Sequence, residues 1–468
     1  LKKLVFLRTK EDENMKTLKS ILLVLFATSL LGVLAVVSTA QDEMSGTVTV
    51  SVEAWMVEKY NMVELEKRFE AAHPDVDVVV ITHEGLGANY LNIFLEWAQT
   101  DASTADLYFG GLTSQLAPAI IDDQLIPWDD TLTDELAPDM WIPAFLDSAH
   151  VDGVEGSNYP TLPGLGETMN FQYNKTLFEQ AGLLDADGNF SAETYEDLSK
   201  AACELAKLEV DGQAITGLEM EYGINFAPDT WMAAVIAAEG TYLKEDGTIN
   251  WDSAAGKQWI EFQKSIIDSG CGGTSTFTDN NGARNGLKAG QIAIINASNS
   301  RSNEGSNALC ADKDAVAIKI DPVSCPDGDV VEMFGYPGGK GVMAFSHQIY
   351  IPRVAKNVEL ARAFAREAIL SEYGQAWGAI QFGKMPTIWA NYDALPENVN
   401  FDIVRAELEG PAVGQWQYRD GQVLRQAYVD ELQLYLTDQQ TVDEMIANLN
   451  AAQADADLTL PAARVMAQ

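Results

Sequence analysis

Several short stretches carry residue types that could do chemistry, and their spacing decides which chemistry stays open. His83-Glu84 begins like the H-E-x-x-H of a zinc protease, where two histidines one helical turn apart share a metal, but Gly87 stands in place of the second ligand. Gly85-Leu86-Gly87 has the look of a dinucleotide-binding turn, yet Tyr90 occupies the third glycine position. A turn that presents a ligand to a helix N-terminus is the better reading. The glycine-rich GYPGGKG at Gly335–Gly341 lacks the Ser or Thr that a P-loop needs after Lys340, and G-x-S-x-G is absent. Asp185, Asp187, Asn189 and Glu196 have EF-hand offsets, but Gly188 falls two residues early, so calcium there competes with a polar turn before a helix. There is no C-x-x-C, and His73, His83, His150 and His347 are scattered, so no metal site is expected. Carboxylates are so frequent that no pair stands out as a glycosidase acid and base. No catalytic residues and no cofactor are expected.

What remains is aromatic. A sugar offers C–H faces to aromatic rings and hydroxyls to carboxylates and amides, so a cleft with Trp plus Asp or Glu suits it. Of the ten Trp, Trp97, Trp251, Trp259 and Trp377 sit in or beside helical patterns and are assigned to packing. Trp55 ends the first strand pattern, Trp231 opens a helix, Trp389 follows the late GKMPTI stretch, and Trp416 lies in an irregular stretch. These four are placed differently.

The elements that must position such groups alternate. Thr47–Ala54 reads as a strand, Asn61–Ala72 as an amphipathic helix stopped at His73-Pro74, and Val76–Thr82 as a near-continuous β-branched strand. Asn89–Gln99 is helical, Asp106–Phe109 a short strand, and Thr113–Ile121 a helix. This order predicts an α/β protein with a mainly parallel sheet and helices on both faces. Beyond Phe178 helices dominate: Thr194–Lys207, Thr230–Glu239, Ala254–Ser269, Val358–Ile369 and Gly421–Leu436, with strands returning at Gln291–Ala297 and Gln348–Pro352.

The 468 residues are 47% hydrophobic, enough for packed cores and a prior of two to three domains. Asp and Glu outnumber Lys and Arg 69 to 30, a formal charge of −39, which argues against nucleic acid or anionic lipid as a partner. Such acidity fits a soluble carrier and is also what a saline habitat selects.

The N-terminus reads as an export address. Lys16 and Lys19 precede an apolar run from Ile21 to Val37, and Ser38-Thr39-Ala40 follows, the plan of a secretory signal peptide cleaved near Ala40. Translation is expected to start at Met15, with residues 1–14 as an upstream extension. Export permits disulfides. Cys203, Cys271, Cys310 and Cys325 allow three pairings; Cys310 and Cys325 flank one short segment, which favours joining them and leaves Cys203 with Cys271.

The order of landmarks resembles the family 1 extracellular solute-binding proteins of ABC importers, the group of maltose-binding protein. The passage FEAAHPDVDVVV (Phe69–Val80), then TADLYFGG (Thr104–Gly111) and IIDDQLIPWDD (Ile120–Asp130), are similar to the family's first strands and helices. YPTLPGLGETMNFQYNKTLFEQAGL (Tyr159–Leu183) resembles the first crossing between lobes. AETYEDLSKAACELAK (Ala192–Lys207), LKAGQIAIINAS (Leu287–Ser298), IPRVAKNVELARAFAREAIL (Ile351–Leu370) and GKMPTIW (Gly383–Trp389) resemble later ones.

The resemblance implies a two-lobe, periplasmic-binding-protein-like α/β fold with a hinge and an interlobe ligand cleft. After the extension and signal peptide at 1–40, the first lobe takes 41–165 and 311–370, and the second takes 166–310 and 371–468. It implies a monomeric, exported component of an ABC transporter that carries a carbohydrate, sugar or oligosaccharide, to a membrane permease. A polyamine or other small solute is the alternative ligand, and an exported polysaccharide-active enzyme the alternative class. The same resemblance brings Trp55, Trp231 and Trp416 toward the ligand. It adds Glu167 beyond the first crossing, Asp229 at a helix start, and Glu84 and Asn89 around the glycine turn. Phe109 and Thr113 flank the third strand's end, Asn296 and Ser298 the returning strand's end, and Ser346 and His347 precede the last strand of the first lobe.

Overall fold

The computed structural model describes residues 44–85, 88–151, 159–224, 226–309 and 331–460, without the side chains of Ala88, Asn89 and Glu135. The export segment, the cleavage region, Cys310 and Cys325 lie outside the described residues. Eight strands matter here: β1 (Gly46–Glu53), β2 (Val76–His83), β3 (Leu107–Leu112), β4 (Leu162–Asn174), β5 (Thr216–Met220), β6 (Ile292–Ser298), β7 (Val331–Phe334) and β8 (Val342–Pro352). They form one sheet in the order β2-β1-β3-β8-β4-β6-β5, with β7 also on β4, and two short strands at 125–126 and 412–413 complete it on β8.

The sheet is mixed, which corrects the expectation of a mainly parallel one. β1 pairs β3 and β5 pairs β6 in parallel, as the βαβ order required. The long strands β4 and β8 instead run antiparallel to each other and to their outer neighbours β6 and β3. The 13 residues of β4 change partners along their length: 162–168 pair with β8, and 169–173 with β6. Every residue of β4 and of β8 is buried. A strand covered on both faces shows no alternation, so its direction could not be read from the pattern.

Compactness groups 44–46 with His73–Asp77, where the Gly46 amide donates to the Asp75 carbonyl at 3.0 Å. In the larger unit, formed by the rest of the described chain, helices form where the periodicity placed them. Thr113–Ile121 and Gly421–Leu436 agree end to end. Thr194 caps Tyr195–Leu205 by accepting from the Asp197 amide, and Ser253 caps Ala254–Asp268 through the Gly256 amide. The expected helix Val358–Ile369 is α-helical to Phe364 and widens into a π-turn over Ala365–Ile369.

The core around β4–β6 is rich in rings: Trp231, Trp251, Trp259 and Tyr428 are all essentially inaccessible. Beside it, the expected Cys203–Cys271 disulfide is present, with Cα atoms 4.9 Å apart and a sequence separation of 68. It joins the helix Tyr195–Leu205 to the segment whose Cys271 carbonyl accepts from Gly217 and Leu218 at the start of β5. The bond therefore ties a helix to an edge strand. Reducing it, or a Cys203→Ser, Cys271→Ser double variant, is expected to cost about 2–4 kcal/mol of unfolding free energy. Denaturant titration with and without reductant measures this.

Candidate functional site

A cavity of about 490 Å³ opens where the carboxyl ends of β1 and β2 meet residues from β4, β8 and the helices Gly282–Lys288, Ser300–Leu309 and Glu372–Phe382. The volume is within the range of small-ligand sites.

One end is built on Glu53. Its carboxylate is buried and accepts from the Trp55 indole N–H at 2.5 Å, the Tyr90 hydroxyl at 2.6 Å and the Gly111 amide at 2.8 Å. Glycine is needed around it: a Cβ on Gly85 would lie 2.1 Å from the Glu53 carboxyl carbon, and Gly111 sits at φ +74°. The result is a fixed indole. Trp55 is 36% exposed, high for so large a ring, and packs 5.3 Å from His347 and 5.7 Å from Phe382. Beside it, His83 Nδ1 is 2.8 Å from the Ser51 hydroxyl, and burial lowers its pKa.

The floor is a buried ion cluster. Glu167 on β4 is 2% exposed; it accepts from the Ser300 hydroxyl at 2.6 Å and from the Lys384 ammonium, and lies 3.4 Å from His347 Nε2. Burial alone would raise its pKa, but Lys384, His347 and Arg301 outweigh that and hold the carboxyl well below the usual range. Burial also brings Lys384 down to about 8 and lowers His347, on which Lys384 acts in the same direction. On the third side, Glu304 meets Arg301 at 3.2 Å, Lys288 at 3.3 Å and Lys59 at 3.9 Å. Those cations and Arg284 overcome its desolvation and set its pKa to about 2. Glu221, just past β5, is raised by burial, and neither of its oxygens has a hydrogen-bond partner among the described residues.

Of the residues singled out in the sequence, the structure brings Trp55, Glu84, Glu167 and His347 to this cavity. Asn89 lies in the helix Ala88–Thr100, but its side chain is outside the described set. The others do not line it. Asp229 is fully buried, gripped by Arg425 at 2.7 and 2.8 Å and by Gln415 at 2.9 Å. Asn296 is held by the Tyr336 hydroxyl, and Ser298 lies behind Ser300 at 2.9 Å. Ser346 bonds Gln348, and Phe109 stacks on Tyr60 at 5.5 Å. Thr113 opens its helix, and its neighbours Ser114 and Gln115 reach the cavity instead.

Trp231 and Trp416 are corrected to core positions. Trp231 lies on a helix buried from Ala227 through Ala237, so no side of that stretch is left to face a ligand, and its ring packs on Trp251 at 4.7 Å. Trp416 is 2% exposed, with its N–H donated to the Gly421 carbonyl at 3.1 Å. Proximity of a strand or helix end to a site is legible in sequence; which way a side chain turns is not. The sequence reading missed Glu53, Glu221, Arg284, Arg301, Phe382 and Lys384. Two signals were available: Glu53 alternates with Trp55 at the first strand's end, and Arg301 and Glu304 share a helix face directly after β6. Near Asp185, the carboxylate accepts from the Asp187 and Asn189 amides at 2.9 Å, a polar turn; no cluster of three or more metal-type ligands occurs among the described residues.

A family model described as bacterial extracellular solute-binding protein matches residues 64–397. No curated protein sequence matches the chain. Among solved structures, the GacH receptor of Streptomyces glaucescens, studied unliganded and with acarbose, is 20% identical at a TM-score of 0.70, over 88% of this chain and 100% of its own. Maltose-bound MalE3 of T. maritima is 15% identical at a TM-score of 0.71, over 87% and 99%. An ABC substrate-binding protein of Listeria monocytogenes, in complex with cycloalternan, is 16% identical at 0.68, over 88% and 98%. At these identities the likeness establishes the fold: the two-lobe α/β fold of periplasmic binding proteins, as expected.

Two outcomes test the electrostatics and the corrections. Glu304 has a folded pKa below its unfolded value, so the unfolded chain binds more protons between the two. Its contribution is therefore present above about pH 4.5 and is lost as pH falls toward 2. The shift corresponds to about 3 kcal/mol, and Glu304→Gln is expected to flatten the stability-versus-pH curve in that window. Trp231→Ala is expected to cost about 3–5 kcal/mol of stability and to leave ligand affinity unchanged in the folded fraction, as read by calorimetry.

Proposed function

The chain belongs to the bacterial extracellular solute-binding proteins, and from that premise we propose that it captures a carbohydrate and hands it to the permease of an ABC transporter. The observation that carries this reading is the Trp55 platform: a partly exposed indole, fixed by Glu53, facing a cavity whose lining sets Phe226, Phe345 and Phe382 beside charged and amide groups. A ring face beside such groups is what a sugar requires, because its C–H face needs apolar contact and its hydroxyls need donors and acceptors. The sugar ligands named for the similar structures support the same class.

In this reading the chain works as an exported monomer, its signal peptide removed near Ala40, and it binds without turnover. Lobes formed by 41–165 with 311–370, and by 166–310 with 371–468, close on the sugar by hinge motion. For a polyamine, the five cations of the lining would offset the attraction of its five carboxylates. An enzyme on polysaccharide is the remaining rival, and chromatography of glycans incubated with the protein would reveal its products.

A thermal-shift screen over mono- and oligosaccharides, polyols and polyamines is expected to give stabilisation by sugars. Trp55→Ala is expected to weaken binding by roughly 5- to 150-fold, the loss of about 1–3 kcal/mol from an aromatic anchor, as read by calorimetry on the folded fraction. Unchanged affinity in that variant would remove the platform from the site.

A further inference from the structure

We propose that the sugar taken by this cavity carries a carboxylate, as a uronic acid does, and that Arg284 is the side chain that receives it. The inference rests on the carbohydrate reading above and deepens it.

One wall of the cavity carries more cation than its carboxylates can neutralise. Arg284, Lys288, Arg301 and Lys59 meet there, with Glu304 and Glu221 as the carboxylates in ion-pair range among the described residues. Lys59, Lys288 and Arg301 all converge on Glu304. Arg284 is left with Glu221 at 3.7 Å, beyond hydrogen-bond length, although its side chain is only 19% exposed. Its Nε is buried without a partner, as is the Nε of Arg301. In a chain of formal charge −39, a cavity lined by five Lys or Arg beside five Glu does not share the balance of the chain as a whole.

A guanidinium presents a planar fork of N–H donors that matches a carboxylate in two parallel hydrogen bonds. A neutral sugar would leave Arg284 with Glu221 at 3.7 Å, whereas a carboxylate on the ring would supply an anion at hydrogen-bond distance. Burial and the neighbouring Arg301 lower the Arg284 pKa, and a bound anion would act in the opposite direction. Glu221 fits the same picture. Burial raises its pKa, and its two oxygens, without a hydrogen-bond partner among the described residues, are open to ligand hydroxyls.

Calorimetric titration of the full chain decides it, with glucuronate, galacturonate and mannuronate as mono- and disaccharides, their matched neutral sugars, and the hexose phosphates as probes. A uronate at least about tenfold tighter than its neutral counterpart supports the proposal, as does Arg284→Gln reducing that preference by about 10- to 100-fold at an unchanged unfolding temperature. Arg284→Lys, which keeps the charge and loses the fork, is expected to fall between the two. Neutral sugars that bind as tightly or tighter overturn the carboxylate while leaving the carbohydrate reading intact. A hexose phosphate that binds tightest overturns the choice of anion. If no sugar in the panel binds, the carbohydrate reading falls and this inference falls with it.

Discussion

The buried contact between Glu167 and Lys384 is the constraint around which the rest is arranged. Glu167 sits in β4, where pairing passes from β8 toward β6, and Lys384 follows the helix Glu372–Phe382. Removing either charge from water is costly, and the pair is tolerable only because further groups complete it: Ser300 on the carboxylate and His347 beside both. Backbone bonds hold the same junction, since Gly166 and Met385 exchange amide and carbonyl at 2.8 Å in both directions. A sheet strand, a helix start and a late loop are thus fixed at one point, and the cavity walls diverge from it.

Charge is sorted between surface and interior. Most of the acidic excess is solvated, where it keeps the protein soluble and each carboxylate costs little. The carboxylates that line the cavity are different because several are committed: Glu53 to an indole, a hydroxyl and an amide, Glu167 to Lys384, and Glu304 to a group of cations. Arg425 and Asp229 close another edge in the same way. Such pairings fix the polar side chains of the cavity, which is how a site keeps its geometry before a ligand arrives. Arg284 and Glu221 are less fully satisfied than the rest, and that contrast gives them their meaning.

The rings divide along the same line. Trp231, Trp251 and Tyr428 stack on one another inside the core, where their area contributes to stability. Trp55 and Phe382 instead meet at the cavity, with the Lys384 ammonium 5.5 and 5.4 Å from their centroids. A cation near each ring holds it in place and leaves surface free for another partner.

Much of this was legible in the residues alone. Apolar periodicity located the helices, two of them end to end, and β-branched runs located β1, β2 and β6, because local propensity and burial agree there. The order of landmarks carried the family, and joining Cys310 to Cys325 left Cys203 with Cys271, the bond that is present. A strand's end pointed to Trp55, because a strand's terminus is a feature of chain order, while the resemblance to the family brought Glu84, Glu167 and His347. Tertiary structure decided the rest. The direction of β4 and β8 could not be read, since strands buried on both faces have no alternation. Nor could the burial of Trp231 and Trp416, which depends on what packs over their helix and loop. The Glu304 cluster joins residues from 59 to 304, and the Glu167 pair joins residues 217 positions apart. No spacing in the chain encodes such pairs, because an ion pair is set by distance in space, and that exists only once the sheet has closed around it.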